Sequence, residues 1–524
     1  MLIKSRNSVG HLLRPGRPKN TTTVRASYDS AATTSHNERH WRFSDDLSPD
    51  ESARPEVRRV LRNRSRYEIL RNSSIGSGMI QMLANDTVGS AVKLVMGLEN
   101  ESHNRAIQSG INDWLEAIDF VENLRAAKID KTISGETLFR IVKNVSLDSE
   151  VKLDLLGLEA DHLCSPLAHD DHRPHYVDGV HLDHHKKPVA YDILREHPGS
   201  WFGQSSWRYE TWSKYQVIHW YRKDRPGQHR GVSEVCSALP LFAHRRRFQL
   251  ATIAAAETAA NRATVIETDL EPQEMSQEVA TALEKFLDQQ ALGTIPLDRN
   301  EATVLPAGTK LTSQSPHHPA SSYEMFDRAI IMELSRCVLM PYETISGNHA
   351  GLSFSGGRLS RANYERAVHV ERSFIRRKIL DRLFSEWMYE AALIDLLPSS
   401  ITETVLDIVH RVGVGAVAHR IPHAWHFDGF QEADASKAAN AARTRLQSGL
   451  SDRASEYAKA GIDVDEADLL AAKHYGMSVA EYRRRVADAI FSNGNASSGS
   501  LEEVIDQLKE LDQSTVAETL GLGV

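Results

Sequence analysis

Pro341-Tyr-Glu-Thr-Ile-Ser-Gly-Asn-His-Ala-Gly-Leu-Ser-Phe-Ser-Gly-Gly-Arg358 separates two strongly helical stretches, and the fold is read outward from it. Before it, Ser321-Ser-Tyr-Glu324 has the spacing of a capping box. Phe326, Ile330, Leu334, Cys337 and Val338 then recur on one helical face until Pro341 ends the helix. After it, Tyr364, Val368, Ile375, Ile379, Leu383, Trp387 and Ala391 form an apolar stripe, while Arg361, Arg366, Arg372, Arg376, Arg377, Lys378 and Arg382 load the remaining surface. A helix over 359–396 would be about 55 Å long at about 1.5 Å per residue. The segment between holds Gly347, Gly351, Gly356, Gly357, Ser346, Ser353 and Ser355, with no acid after Glu343. Such a loop can move, and it does not repel phosphate.

The rest of the chain supplies room for two to four domains: 524 residues, 41% hydrophobic and 25% charged, an ordinary soluble composition. No apolar run approaches the length of a membrane span. The opening Met-Leu-Ile-Lys-Ser-Arg lacks the apolar core of a signal peptide, so a protein made and used in a cytoplasm is expected. Cys164, Cys236 and Cys337 have no short pair spacing, which argues against a disulfide framework or zinc knuckle and for small buried hydrophobes. The net charge of -8 speaks against a surface that grips DNA along its whole length.

Residues 1–45 lack periodicity and are rich in Ser, Thr, Asn and Arg. Lys4, Arg6, Arg14, Arg17, Lys19 and Arg25 face only Asp29, which predicts a disordered basic arm, either a solvated tail or one touching nucleic acid or a protein shell. Helical patterning over 47–98 places Leu61, Tyr67, Leu70, Ile75, Met79, Ile80 and Leu83 on apolar positions and ends in a strand at 92–96. Helices are expected at 104–116 and 126–133, then a strand at 137–143 after Gly135-Glu136. Between 151 and 216 the pattern becomes β, with strands at 151–156, 177–183 and 188–194 and a turn at 184–187; 217–222 and 225–232 complete this lobe.

Residues 235–263 read as a helix started or kinked at Pro240, with Ala251, Ala254, Ala255, Ala256, Ala259 and Ala260 allowing close approach of a neighbouring helix. A compact insert follows: a strand at 264–267, an acidic helix at 272–290, and strands at 293–297 and 302–306. Past Pro398 come a helix at 401–414, an extended run at 421–428, a helical stretch from Asp434 and an amphipathic helix at 479–491. A Gly/Ser/Asn linker at 493–500 and an acidic helix at 501–511 end the chain.

One cluster invites a chemical reading. His162, Cys164, His169, Asp170, Asp171, His172, His175, His181, Asp183, His184 and His185 are the raw material of a metal site. They lie in turn-rich sequence where spacing fixes no geometry, so solvated hairpin turns account for them better.

The order helix, Pro-Tyr-Glu, Gly/Ser-rich loop, then long Arg-rich helix with Tyr364-Glu365 near its start resembles the lambda-type portal proteins of tailed bacteriophages. The resemblance runs from about Ser48 to Asn493 and includes the Arg62–Ser73 stretch, Gly135-Glu136, Asp161 and the 179–191 hairpin; Ala435 stands where the family usually has proline. It implies an α+β portal fold with wing, stem, clip and mostly helical crown, closing into a cyclic ring. The parts would be a basic arm (1–45), wing (46–232), first stem helix (233–262), clip (263–316), second stem helix (317–340), tunnel loop (341–358), long helix with the rest of the wing (359–430), crown (431–493), and a linker with terminal helix (494–524).

The implied function is a channel at one capsid vertex through which double-stranded DNA is packaged and ejected. The implied partners are copies of itself in a dodecameric ring, the large terminase subunit, head-tail connector or adaptor proteins, and major capsid and scaffold proteins, in a virion assembled in the host cytoplasm. His349, Ser353, Ser355 and Arg358 are candidate DNA-facing residues on the loop, and Arg245, Arg246 and Arg247 a candidate basic band on the stem. No catalytic residue, cofactor or metal is implied. The rival readings are a metal-dependent nuclease or hydrolase on residues 162–185, or a helical DNA-binding module on the Arg-rich helix. No Walker loop, Gly-x-Ser-x-Gly or helical metal motif supports the first, and Glu365, Glu371, Asp381 and Glu386 among the arginines suit salt-bridged packing better than the second.

Overall fold

The computed structural model describes residues 35, 37–165, 174–201, 208–261, 265–268, 309–312, 323–430, 435–459, 462 and 464–491. After the short helix α1 (Pro49–Ser52) come α2 (Pro55–Ser65), a π-helical segment Arg66–Arg71, and α3 (Ser74–Val88). Ser73 caps α3 by accepting from Gly76 N, and Gly89 ends it with φ +81°. Strand β1 (Val92–Met96) lies where the alternation puts it and pairs antiparallel with β11 (His423–Phe427), so Leu94 meets Trp425 across more than 300 residues of chain. Helices α4 (Glu101–Ala117) and α5 (Phe120–Ser134) begin earlier than the apolar stripe suggests, because Asn100 caps α4 through the amides of Ser102 and His103.

Strand β2 (Glu136–Lys143) is central in a three-stranded antiparallel sheet, between β3 (Leu153–Glu159) and β8 (Val217–Tyr221), with Phe139 opposite Gly157 and Ile218. A second antiparallel sheet runs β4 (Tyr176–Val177), β5 (Val180–Leu182), β6 (Pro188–Leu194) and β7 (Tyr209–Ser213). The expected single strand at 177–183 is therefore two. Asp178 and Gly179, at φ +35° and +86°, make the tight two-residue turn that an Asp-Gly pair favours, and β7 is an additional strand.

Helix α6 (Leu239–Asn261) starts at the predicted proline. Strands β9 (Val265–Thr268) and β10 (Thr309–Thr312) pair antiparallel at the ends of the insert. The helix expected at 272–290 and the strands at 293–297 and 302–306 lie outside the described residues, as do residues 1–34 and 492–524. Beyond the insert run α7 (Tyr323–Ser335), α8 (Tyr342–Ser346), α9 (Phe354–Ile375), a π-helical segment Arg376–Leu380, α10 (Asp381–Leu393) and α11 (Ser399–Val412). The C-terminal helices are α12 (Ala435–Gln447), α13 (Arg453–Lys459), α14 (Val464–His474) and α15 (Val479–Phe491). Among the described residues no helix is long and apolar enough to cross a membrane.

The long helix threads two cores. Tyr364 and Val368 join Met79, Ile80, Phe242 and Leu334 in one; Ile375, Leu383, Trp387 and Ala391 join Trp114, Phe120, Trp220 and Trp425 in the larger. The unbroken helix expected over 359–396 instead begins at Phe354 and carries the π segment where it passes between these cores. A π turn spends extra residues on one turn and so rotates the following apolar face. From its last two residues onward, Ile379 and Leu380, Leu383 and Phe384, then Trp387 and Met388 are buried in adjacent pairs.

The start of the described chain is clamped by His229, whose two ring nitrogens both face acceptors: Nδ1 lies 2.8 Å from Asp50 Oδ2 and Nε2 3.0 Å from the Lys186 carbonyl. Both nitrogens must carry protons to satisfy this arrangement. The bond to Asp50, against opposing desolvation, raises the His229 pKa above its ordinary value. Because the folded value lies above the unfolded one, the contribution is complete below about pH 6.5 and is lost as pH rises through the folded pKa. We expect His229→Gln to destabilise the chain more at pH 6 than at pH 8.5 in paired denaturation series. Equal losses at both values would remove the charged imidazole from the account.

Candidate functional site

The glycine-rich stretch is shorter as a loop than the sequence suggests. Gly347 ends α8 with φ +65°. Ser353 opens α9, its Oγ accepting from Gly356 N at 3.1 Å, so Ser355, Gly356, Gly357 and Arg358 lie within the helix. His349, Ser353, Ser355 and Arg358 are all exposed on this loop and helix start, within ten residues. Their support is rigid. Arg372, further along α9, donates to the Asp86 and Thr87 carbonyls that end α3 (2.9 and 3.0 Å), and the Tyr364 hydroxyl donates to Asp86 at 2.7 Å. Replacing Ser353 by Ala should loosen the helix start by about 1 kcal/mol. Hydrogen exchange at the Gly356 and Gly357 amides reads this directly, and unchanged protection would show that the cap contributes nothing.

The expected basic band on α6 is divided in its roles. Arg245 is bidentate to Asp327 of α7 (2.8 and 3.0 Å) and Arg246 is bidentate to Glu68 (3.0 and 2.9 Å). These two pin α6 to its neighbours, and Phe248 stacks on Tyr323 alongside. Arg247 is exposed and has no ion-pair partner among the described residues.

Between α2, β2 and the β4–β5 turn lies an ionic core that sequence reasoning missed. Glu136, fully buried, accepts from Arg230 Nε and Nη2, from Gly231 N at 2.8 Å and from His219 Nε2 at 3.0 Å. Arg230 also reaches Asp178 at 2.6 Å, and Arg58 pairs with the same carboxylate. Burial opposes ionisation of Glu136, yet Arg230 and His219 hold its carboxyl well below the usual range. Burial, with Arg230 nearby, lowers Arg58 to about 10 against the pull of Asp178. A second network joins Lys131 to Glu234 (2.9 Å) and to Glu371 on α9 (2.5 Å). Arg58, Arg62 and Arg66 share one face of α2 and its π extension by their four-residue spacing, and that spacing was the available signal. A charged stripe, however, reads as a solvated face.

Among the described residues, members of the His/Asp cluster go to separate partners. His169, Asp170, Asp171 and His172 lie outside the described residues. His162 meets the Leu194 carbonyl, His181 pairs with Asp192, and Asp183 accepts from the His185 and Lys187 amides of its turn. Among the described residues Glu159, Asp161 and His197 hold ligand atoms within 4.8 Å of one another. The Arg66 guanidinium already serves that group, 2.7 Å from Asp161 and 3.0 Å from Glu159. The cysteines are free and half-buried, and burial pushes Cys164 and Cys337 up to about 11.

A family profile described as phage portal protein, lambda family, matches residues 33–372. The chain belongs to the lambda family of phage portal proteins. Within that family's reach, the probable portal protein of Halomonas phage phiHAP-1 is 24% identical over 281 residues, 53% of this chain and 50% of that protein. Portal protein B of Escherichia phage lambda is 21% identical over 441 residues, 76% of this chain and 80% of that one. The match thus spans half the length of the Halomonas phage protein and most of the lambda portal. Among solved structures, the neck of an empty gene transfer agent particle is similar at 13% identity and a TM-score of 0.41, covering 76% of this chain and 92% of that one. An HK97 family portal protein from Corynebacterium diphtheriae is similar at 10% identity and a TM-score of 0.27, covering 64% of this chain and 99% of that one. The lambda family portal region takes in the ionic core, α6, α7, the loop and most of α9.

Proposed function

We propose that the chain is a portal subunit whose copies close into a ring at one vertex of a phage head, forming the channel through which double-stranded DNA enters and leaves. The observation that carries this reading is the lambda portal family match over residues 33–372. The family is structural rather than catalytic, and the reading assigns the chain no reaction. In it, α6 and α7 are stem helices, the pair β9 and β10 is the base of the clip, the loop around 347–353 faces DNA, and α12 to α15 belong to the crown.

The stem carries a physical argument for a ring. Leu250, Ile253, Met325, Phe326 and Met332 are all about half exposed or more on α6 and α7, a concentration of apolar surface that a neighbouring copy would cover. For the loop, His349, Ser355, Arg358 and the Ser353 helix start offer scattered polar and basic groups with no carboxylate. A sliding duplex needs such weak, distributed contacts, because a dense basic grip binds strongly and stalls transport. The large terminase subunit and the head-tail connector proteins are the partners this reading gives to the clip end, and capsid and scaffold proteins those it gives to the wing, with a virion location.

Negative-stain electron microscopy with mass photometry tests the reading. Rings with a central hole and a mass of about twelve subunits are expected. A chain that stays monomeric at high concentration and low salt would overturn it.

A further inference from the structure

A groove of 960 Å³ runs between β1, α4 and the start of α5 on one side and α14 on the other. Leu115 and Phe120 line it together with Leu469, which is 47% exposed. Asp113, Glu116, Asp119 and Glu122 edge it, and all four are exposed. None of the four takes part in an ion pair among the described residues. The bases nearby are engaged elsewhere: Lys93 with Glu466, Arg105 with Glu101, and Arg125 with the Gly89 carbonyl. Asn112 Oδ1 is buried at the same groove with no hydrogen-bond partner among the described residues. Four carboxylates without an ion pair beside an apolar lining call for a segment that brings positive charge and a few aliphatic side chains.

The chain's own N-terminal stretch has that composition. Residues 1–34 hold Lys4, Arg6, Arg14, Arg17, Lys19 and Arg25 against Asp29 alone, with Leu12 and Leu13 between the basic positions. Fully extended at about 3.3 Å per residue, such a length spans at most roughly 110 Å. We infer that the basic N-terminal segment docks in the acidic groove between α4, α5 and α14, its Lys and Arg side chains meeting Asp113, Glu116, Asp119 and Glu122. The docking fixes the C-terminal helices against the larger core, to which Lys93 with Glu466 and Arg483 with Glu101 already tie them. The inference is independent of ring formation.

The test uses the full chain. Zero-length carbodiimide coupling followed by peptide mass spectrometry should join Lys4 or Lys19 to Asp113, Glu116, Asp119 or Glu122, with the links fading in high salt. In the doubly substituted chain Glu116→Gln, Glu122→Gln, both on exposed positions, trypsin should cut after Lys19 and Arg25 about fivefold faster than in the parent. Lysines that couple elsewhere or to nothing would overturn the inference without reference to any variant. Cleavage rates equal in variant and parent, with a short DNA duplex protecting Lys19 and Arg25 in both, would assign the segment to nucleic acid and overturn it equally.

Discussion

Arg230→Met will destabilise the folded chain by about 3–5 kcal/mol, because it leaves Glu136 and Asp178 buried with a partner removed. Arg230 is 1% exposed, and its guanidinium serves Glu136, Asp178 and the Leu163 carbonyl at once. What remains around Glu136 is the Gly231 amide, the Arg62 guanidinium at a looser 3.9 Å, and His219, whose own pKa is lowered, by burial first. Asp178 keeps Arg58. The loss should therefore be shared between the two sheets, since Arg230 joins β2 to the β4–β5 turn. Urea denaturation followed by tryptophan fluorescence is the measurement, with Glu136→Gln/Arg230→Met as the companion. Removing the orphaned charge should return part of the loss. A single-variant loss below about 1 kcal/mol would show the network to be solvated rather than buried.

Gly135→Ala and Gly231→Ala should each cost about 3 kcal/mol or more, because two stretches of backbone cross here with no room between them. A Cβ on Gly135 would lie 2.3 Å from the Val232 carbonyl carbon, and one on Gly231 would lie 2.1 Å from the Gly135 carbonyl oxygen. Gly135 also ends α5 at φ +94°. Neither obstacle is a side chain that can swing away, and displacing either strand moves Glu136 off Arg230. Gly347→Ala separates the two causes. Gly347 has φ +65° but open space around its Cβ position, so it should lose only about 1 kcal/mol. Soluble yield and apparent melting temperature rank the three. If Gly135→Ala melts with Gly347→Ala, the close crossing is not what the glycine is for.

Much of this architecture was legible in the sequence. The strand at 92–96 and the helix at 479–491 lie where periodicity placed them, α6 starts at its proline, and the stripe from Tyr364 to Ala391 marks the long helix. These elements announce themselves because an amphipathic face repeats within a few residues, and a residue's neighbours decide it. The family, too, was readable from ordered local motifs around the loop. The loop's true extent was less so: the Ser353 cap converts two glycines and Arg358 into helix, against the usual reading of Gly-Gly as a breaker.

The tertiary structure alone decided which charges are inside. Arg58, Arg62 and Arg230 look like any surface arginines in the sequence, and Glu136 like an ordinary acid ahead of an apolar strand. Their burial follows from partners 120 and 94 positions away, Asp178 for Arg58 and Glu136 for Arg230. The same holds for Arg245 and Arg246, read as a basic band and found bound to Asp327 and Glu68. Periodicity records which face of an element is apolar, but a buried ion is stable only where distant elements bring its counter-charge, and no local pattern encodes that meeting.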